Sequence, residues 1–260
     1  MDGKVDPARI ARVARALDPD VCCFQEVAEN FDSLAGSSGE NQTALLQDLF
    51  AGYSAHFACA VDVPDGKGGR RRYGNLILSR LPVLRVLRHS LPWLADDAPS
   101  MPRMAIEAAV QAPWGLASIT TTHLEFYSVR QRAAQVDRLR ELEAERRAHA
   151  ATAPASSGSS SVFQHWPRPA SSILTADFNM PPEDPLYARL LESWRDAWRI
   201  AHPGAPHPAS FHVHDKESGV APYCCDFVLV SEDLAKKVKT ASIDQETKAS
   251  DHQPVIVEFR

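Results

Sequence analysis

Short apolar runs that alternate with amphipathic helical patterns along the chain are the feature that most restricts its fold. Asp6-Pro7 predicts a helix start, with aspartate as the N-cap and proline at the first helical position. The strand candidates are 21–24, 73–79, 83–89, 104–111, 115–122, 171–175, 224–230 and 254–259, with a possible one near 237–243, and the later helical patterns lie at 44–50, 129–149 and from 184 onward. Strands and helices mix throughout, which predicts an α/β or α+β fold.

The low-complexity stretch ATAPASSGSSS at residues 151–161 interrupts this alternation. It cannot bury enough apolar area to offset the entropy of ordering it. We therefore expect a mobile surface loop at about residues 150–170. Because the strand pattern resumes at 171–175, we interpret the stretch as a loop within a single domain that spans residues 1–260, and not as a domain boundary.

Charge and hydropathy restrict the partners of the chain. With 28 basic and 33 acidic residues and a net charge of −5, the chain has no general attraction for polyanions. A phosphate-bearing substrate must therefore be held by local features or by a bound metal. No apolar run approaches the roughly 18 residues that cross a bilayer, so we expect no stable membrane insertion.

The cysteines argue against a disulfide framework. There are five, and four of them form the adjacent pairs Cys22-Cys23 and Cys224-Cys225 within apolar, strand-like runs. Cysteine in such a run acts as a small buried hydrophobe, and an adjacent pair lacks the spacing with which two thiolates bind one zinc ion. Since no leader pattern opens the chain, we expect a reducing, cytoplasmic location.

Polar side chains that can bind metal or move protons stand at the ends of the predicted strands. They are Glu26, His123, Asp177, Asn179, Asp226, Asp251 and His252. A rigid sheet that carries polar groups at its strand ends is a usual way to build a precise site. Each residue alone also fits a structural role, since strand-end Asp and Asn often cap the following helix or turn. A functional interpretation requires that they converge.

Convergence of these residues would predict a metal site. Carboxylates gathered at one point repel one another, so the cluster implies a cation or shared protons. Oxygen donors with few sulfurs suit Mg²⁺ or Mn²⁺ better than zinc. A hard divalent ion beside histidines suits hydrolysis of phosphate esters, in which a base activates water and an asparagine or a protonated histidine stabilises the developing charge.

Six segments of the chain match a known order of motifs: VCCFQEV, YGNLILSRLPV, TTHLEF, LTADFNMPP, CCDFVLVSEDL and SDHQPVIVEF. Together they resemble the endonuclease/exonuclease/phosphatase superfamily, also called deoxyribonuclease I-like. A single motif is weak evidence, whereas the ordered set spans residues 20–259 and is specific. The resemblance implies a four-layer α/β sandwich, in which two mixed β-sheets pack face to face with helices outside.

The resemblance also implies roles for individual residues. Glu26 is similar to the family's principal metal ligand, and Asp251 to a neighbouring ligand of the Mg²⁺ or Mn²⁺ ion. His252 resembles the histidine that contacts the scissile phosphate, as general base or charge stabiliser. Asp177 would orient or deprotonate the attacking water, or bind a second ion, and Asn179 would hydrogen-bond a phosphoryl oxygen.

The remaining candidates orient or contact the substrate. By the same resemblance, Asp226 would orient a histidine and His123 would donate to the phosphate. Arg103 either faces the substrate phosphate or forms a structural salt bridge, and Asn75 belongs to the Gly-Asn strand as a second candidate for substrate binding. The stretch before the central strand lacks the family's supporting glutamate, so support for His123 would fall to Glu107 or another residue.

The largest departure from the family pattern lies at the start of the chain. Nothing before Asp2-Gly3-Lys4-Val5 resembles the family's first core strand, whose asparagine reaches the metal or the phosphate. A missing central strand exposes backbone donors and acceptors on its neighbours. We therefore expect this polypeptide to lack one strand and one site ligand, and to be impaired or oligomeric through an exposed sheet edge.

The sequence thus predicts a Mg²⁺- or Mn²⁺-dependent hydrolase of phosphate esters, and most of all a phosphodiesterase. The expected substrate is a nucleic acid, a nucleotide or a phospholipid headgroup, since the fold alone does not select among them. The alternative is a catalytically impaired member of the family that acts as a binding or scaffold protein because its first strand is missing.

Overall fold

The computed structural model describes residues 3–152, 163–215 and 219–260. In chain order the elements are α1 (Pro7–Ala16), β1 (Val21–Glu29), α2 (Gln42–Leu49), β2 (Ser54–Pro64), β3 (Arg70–Ser79), β4 (Val83–Ser90), β5 (Met104–Ala112), β6 (Gly115–His123), α3 (Val129–Ala151), β7 (Ser172–Asp177), α4 (Pro185–Leu190), β8 (Arg195–Asp196), α5 (Ala197–Ala201), β9 (Asp226–Val230), α6 (Glu232–Ala235), β10 (Val238–Ile243) and β11 (Val255–Phe259). No helix of the described residues is long and apolar enough to span a membrane.

The central layer is a six-stranded mixed sheet in the order β4-β5-β6-β7-β9-β8. β6 and β7 are parallel, and the other neighbouring pairs are antiparallel. The parallel pair is connected by the long helix α3, because parallel neighbours require a crossover. The carboxyl ends of β6 and β7 therefore meet at the same edge of the sheet, where the antiparallel β9 begins.

A second layer of strands faces this sheet. It consists of a three-stranded antiparallel sheet in the order β1-β3-β2 and a two-stranded antiparallel sheet of β10 and β11. One apolar cluster lies between the two layers and includes Ile77, Ile106 and Val228. Within this contact β1 packs on β6 and β7, and β11 packs on β9.

Helices cover both outer faces. α1 and α2 pack on the three-stranded sheet through Ala11, Leu46 and Leu76. α3 and α4 cover the outer face of the six-stranded sheet, where Val136 and Leu190 are buried. Burial of each such aliphatic side chain contributes about 1.5–3 kcal/mol. The order of layers is helix, sheet, sheet, helix, which confirms the predicted four-layer α/β sandwich.

The second layer differs from the single mixed sheet that the family resemblance implies. Among the described residues, β1 pairs only with β3, and β11 pairs only with β10. Val21 and Cys23 of β1, like Val255 and Val257 of β11, are only half-buried although they pack against the inter-sheet cluster. One backbone edge of each strand therefore has no strand partner in the described part of the chain.

Three local predictions need correction. β2 was not predicted, although Phe57, Cys59 and Val61 alternate with other residues at the period of a strand. β3 begins at Arg70 and not at Tyr73, so the polar sequence PDGKGGRRR at 64–72, which predicts a turn, forms one only over 65–69. The strand predicted at 224–230 begins at Asp226, so both cysteines of the second pair precede it. Of the predicted mobile loop, residues 153–162 lie outside the described residues.

Candidate active site

Three polar residues form one row across the six-stranded sheet. His123 at the end of β6 is the register partner of Asp177 at the end of β7, and Asp177 is the register partner of Asp226 at the start of β9. Side chains of register partners lie about 4.5–5.5 Å apart at their Cβ atoms. The sheet itself therefore brings together three of the residues predicted from the sequence.

His252 joins this row from the loop before β11. Its Nδ1 lies 2.9 Å from Asp226 Oδ2, and the Ser210 hydroxyl donates to the same oxygen at 2.6 Å. The Phe211 ring packs against the imidazole, with the ring centres 4.5 Å apart. Asp226 thus lies in position to orient His252, while Ser210 and Phe211 hold the pair from the loop before β9.

Asp177 occupies the centre of the cluster. Its Oδ2 lies 3.5 Å from His123 Nε2 and 3.8 Å from His252 Nε2. Its Oδ1 accepts a hydrogen bond of 2.8 Å from the backbone of Asn179. The Asn179 side chain donates to the carbonyl of Leu124 at 2.8 Å, which ties the residue to the end of β6.

Glu26 approaches the cluster from the second layer of strands. It lies at a β-bulge between Phe24 and Val27 rather than at the end of its strand, and its φ is +59°. Its carboxylate lies 3.6 Å from His123 Nδ1, and its charge, after burial, helps to raise the pKa of the Tyr73 hydroxyl. A bulge re-aims a side chain, which explains how a residue inside β1 reaches the site.

Two residues of this site have a left-handed backbone conformation. Among the described residues five non-glycine residues have positive φ, and Glu26 and Asn179 are two of them, the latter at +52°. A residue in the left-handed region costs of order 1–2 kcal/mol, although asparagine tolerates it better than most residues. Such strain persists where the surroundings hold it, and its coincidence with the polar cluster supports a functional interpretation.

The electrostatics of the cluster distinguish its members. Burial, together with the charge of Asp226, raises the pKa of Asp177 to about 7. Burial holds the pKa of His123 well below its usual value, and the Arg103 guanidinium adds to this effect. Burial alone would lower the pKa of His252, but the carboxylates of Asp226, Asp177 and Asp251 outweigh it and raise the pKa to about 10. At neutral pH one histidine is therefore neutral and the other is charged.

Arg103 forms a buried salt bridge with Glu125, with its Nη2 at 3.3 Å from the carboxylate. Its Nη1 is buried and has no hydrogen-bond partner among the described residues. A buried donor without a partner costs about 1–3 kcal/mol. Both alternatives open for Arg103 are compatible with this geometry, because the salt bridge leaves one guanidinium nitrogen available to an anion.

Three other candidates have partners outside the cluster. The Asn75 amide donates to the Met104 carbonyl at 2.7 Å, and this bond links β3 to β5. The exposed Asp251 carboxylate accepts from the hydroxyl of the adjacent Ser250 at 3.2 Å and acts on His252 through its charge. Glu107 pairs with Arg168 and does not support His123, so this alternative was wrong. The carboxylates that lie against His123 are those of Glu26 and Asp177.

The cluster contains donor atoms that could hold a cation. Ligand atoms of Asp177, Cys225, Asp226 and His252 lie within 4.8 Å of one another. The two ligands implied by the family resemblance, Glu26 and Asp251, lie outside this set. Burial raises the pKa of the Cys225 thiol, so it stays protonated and oxygen donors dominate. A cation would also relieve the repulsion that Asp226 exerts on Asp177.

The histidines of the loop at 201–223 do not form a second metal site in the described part of the chain. His207 lies 2.6 Å from Asp196, His202 stacks on Trp198, and His214 lies 2.9 Å from the Gln245 carbonyl. These separate partners explain the histidines as structural. Ser210 and Phe211 of the same loop contact Asp226 and His252.

This geometry agrees with the comparison to known sequences. The sequence model of the Endonuclease/Exonuclease/phosphatase family matches residues 2–252. The chain belongs to this family. No curated protein matches the chain significantly in sequence.

Solved structures of the superfamily share the fold of this family member. A mannosyl-6-phosphatase from Bacteroides thetaiotaomicron is similar at a TM-score of 0.69 and 18% identity, over 98% of this chain and 90% of that one. A 3′ phosphatase from Neisseria, solved with a product DNA hairpin, is similar at a TM-score of 0.63 and 20% identity, over 99% and 96%. The human Nocturnin catalytic domain is similar at 0.65 and 18%, over 97% and 85%. Membership in this family supports a phosphoric ester hydrolase in general.

Proposed function

We propose that this chain is a Mg²⁺- or Mn²⁺-dependent phosphodiesterase. The observation that carries the proposal is the continuous set of contacts from Asp226 through His252 and Asp177 to His123. It places a charged histidine and a neutral histidine on either side of one buried carboxylate. This arrangement can accept a proton from water and stabilise negative charge at the same point.

Each residue of the set has a role in the proposed reaction. Asp226 keeps His252 protonated and oriented, so that its Nε2–H can donate to a phosphoryl or leaving-group oxygen. Asp177, whose pKa burial raises to about 7, can accept a proton from the attacking water near neutral pH. Glu26 and Asp251 would hold the ion, and Asp177 would stay free to take the proton. The ion, when bound, would neutralise the phosphoryl oxygens.

The competing substrate is a phosphate monoester, and it needs a direct test. Four carboxylates stand near the candidate site, namely Glu26, Asp177, Asp226 and Asp251, and the bound ion would offset their charge together with the charged His252 and the half-paired Arg103. The net charge of the loaded site therefore does not exclude a dianionic monoester. Two of the similar structures are named as phosphatases.

We expect hydrolysis of bis-p-nitrophenyl phosphate by the wild-type protein with Mn²⁺ or Mg²⁺, and loss of this activity in excess chelator. Glu26→Gln should lower kcat/KM at least about tenfold, because it removes one anionic oxygen donor from the proposed ion. Glu141→Gln, a change in an exposed carboxylate of α3, is the matched control and should leave the rate unchanged. Release of p-nitrophenol measures each rate, and p-nitrophenyl phosphate tests the monoester.

Turnover that needs no metal, or that persists in Glu26→Gln, would contradict the proposed metal site. If the wild-type protein binds these esters but hydrolyses neither, the alternative of a binding or scaffold protein replaces the phosphodiesterase. Preference for the monoester would overturn only the diester assignment.

The partner and location predictions extend this proposal. The unpaired edges of β1 and β11 support association with another copy of the chain, because free edges offer backbone donors and acceptors. The five free cysteines support a reducing, cytoplasmic environment. Light scattering under reducing conditions would detect the association as a mass above 28.6 kDa.

A further inference from the structure

Three exposed aromatic residues lie on two neighbouring loops next to the end of β6. Trp93, Phe126 and Tyr127, which we call the aromatic ledge, are 56%, 47% and 63% exposed. The rings of Phe126 and Tyr127 meet edge to face, with their centres 4.8 Å apart. Single exposed apolar residues are ordinary, whereas a group of large rings at one place marks a binding surface.

Buried polar side chains hold the two loops of the ledge in place. Gln135 of α3 is fully buried; its Oε1 accepts from the Glu125 amide at 2.9 Å, and its Nε2 donates to the Pro92 carbonyl at 3.1 Å. The Gln135 side chain therefore holds both Glu125 and Pro92, the residues directly before Phe126 and Trp93. The Glu125 carboxylate, also fully buried, accepts from the Tyr127 amide at 2.9 Å. The rings are thus exposed on rigid loops.

The ledge is connected directly to the candidate active site. The Leu124 amide donates to the Asp177 carbonyl at 3.0 Å, and the Leu124 carbonyl accepts from the Asn179 side chain at 2.8 Å. Phe126 follows two residues later, so its Cα lies within about 7 Å of the Leu124 Cα. Glu125 between them binds Arg103, the residue with the unpaired guanidinium nitrogen. A ligand that fills the site can therefore reach the ledge with an adjoining group.

We infer that the aromatic ledge binds the nucleobase of a nucleoside phosphodiester whose phosphate occupies the candidate active site. This inference rests on the proposed function and specifies its substrate class. In a nucleoside ester one sugar lies between the phosphate and the base, and this distance is comparable to the span from Leu124 to Phe126. Every kind of base can stack on an aromatic side chain.

The surroundings of the ledge favour a small ester over a polyanionic surface. Asp96 and Asp97 are exposed on the loop of Trp93, and the Ser128 hydroxyl at the start of α3 donates to Asp96. The exposed Arg130, which donates to the Ala95 carbonyl at 3.1 Å, offsets one of these charges. The one net negative charge that remains beside the rings opposes an anionic lipid surface and a long duplex backbone. A single nucleoside ester carries one anionic group, its phosphate. That phosphate would lie in the candidate active site and not on the aromatic ledge.

The test compares two esters with the same leaving group, thymidine 5′-p-nitrophenyl phosphate and methyl p-nitrophenyl phosphate. For the wild-type protein with Mn²⁺, we expect kcat/KM to be higher for the thymidine ester. In the double variant Phe126→Ala/Tyr127→Ala the ratio of the two values should fall about tenfold, which is the scale of one lost stacking contact. Tyr127→Phe should keep the ratio, and so should Phe163→Ala, which removes an exposed ring outside the ledge.

Calorimetric titration with thymidine 5′-monophosphate provides a readout that needs no turnover. The wild-type protein should bind it more tightly than the double variant. An unchanged ester ratio together with unchanged binding would overturn the ledge assignment while leaving the proposed phosphodiesterase intact. If the wild-type protein hydrolyses neither ester, the proposed function fails, and the titration alone then decides whether the ledge binds the base.

Discussion

Replacement of His252 by glutamine is expected to lower kcat/KM for bis-p-nitrophenyl phosphate about 100- to 10,000-fold, the usual contribution of a positioned acid or base. His252 lies 2.9 Å from Asp226 and 3.8 Å from Asp177, and the carboxylates around it raise its pKa to about 10. Glutamine keeps a hydrogen-bond donor of similar reach but carries no charge. The loss therefore measures the charged donor and not the filling of space.

Asp226→Asn tests whether the pair acts as a unit. Asparagine removes the charge that orients His252, so we expect a loss of about 10- to 100-fold, as for other groups that orient an active-site ligand. The double variant should be little worse than His252→Gln alone, because the two changes disable the same group. His149→Gln, an exposed histidine of α3, is the matched control. Losses that multiply in the double variant would contradict the coupling.

Glu107→Gln is expected to have the largest effect on stability, lowering the free energy of unfolding by about 3 kcal/mol at pH 7. Glu107 accepts from Arg168 Nε at 3.1 Å and Nη2 at 3.0 Å, and lies 3.1 Å from His89 Nε2. Both Glu107 and Arg168 are buried. Loss of the carboxylate leaves a buried guanidinium without a counter-charge, which costs more than the pair contributes.

The effect of Glu107→Gln depends on pH in a defined direction. Burial alone would raise the pKa of Glu107, but His89 and Arg168 outweigh it and lower the pKa to about 2. A carboxyl with a lowered pKa contributes stability above its unfolded value, about 4.3, and loses that contribution as the pH falls toward 2. Urea denaturation should give a larger difference between wild type and variant at pH 7 than at pH 3.5. A difference that does not shrink would contradict the assignment, and Glu141→Gln should show none.

The strand ends were the part of the site that could be predicted from the sequence. His123, Asp177 and Asp226 each lie at one end of an apolar run. Because β6 is parallel to β7 and β9 is antiparallel to β7, these ends lie side by side and the three residues form a row. Their order along the chain carries the family resemblance, so the four-layer architecture could be predicted with them. Asn179 was also found, since it follows the same strand as Asp177.

Contacts made by loops and by irregular backbone could not be predicted. Ser210 and Phe211 lie far from His252 in sequence, and neither residue type indicates a site. The bulge that aims Glu26 requires positive φ at a glutamate, which no propensity predicts. Tyr73 could not be predicted for another reason: within a strand it is an ordinary aromatic residue, and its closeness to Glu26 depends on the pairing of β1 with β3.

The central claim is that the cluster around Asp177 hydrolyses phosphate esters. The most direct test measures metal-dependent hydrolysis of bis-p-nitrophenyl phosphate by wild type and Asp177→Asn, with thermal unfolding of both proteins recorded alongside. Asparagine keeps an oxygen for the Asn179 amide and removes the charge between the two imidazoles. We expect the wild-type protein to turn over and the folded variant to lose at least about 100-fold in kcat/KM. A folded Asp177→Asn variant that retains wild-type turnover would contradict the account.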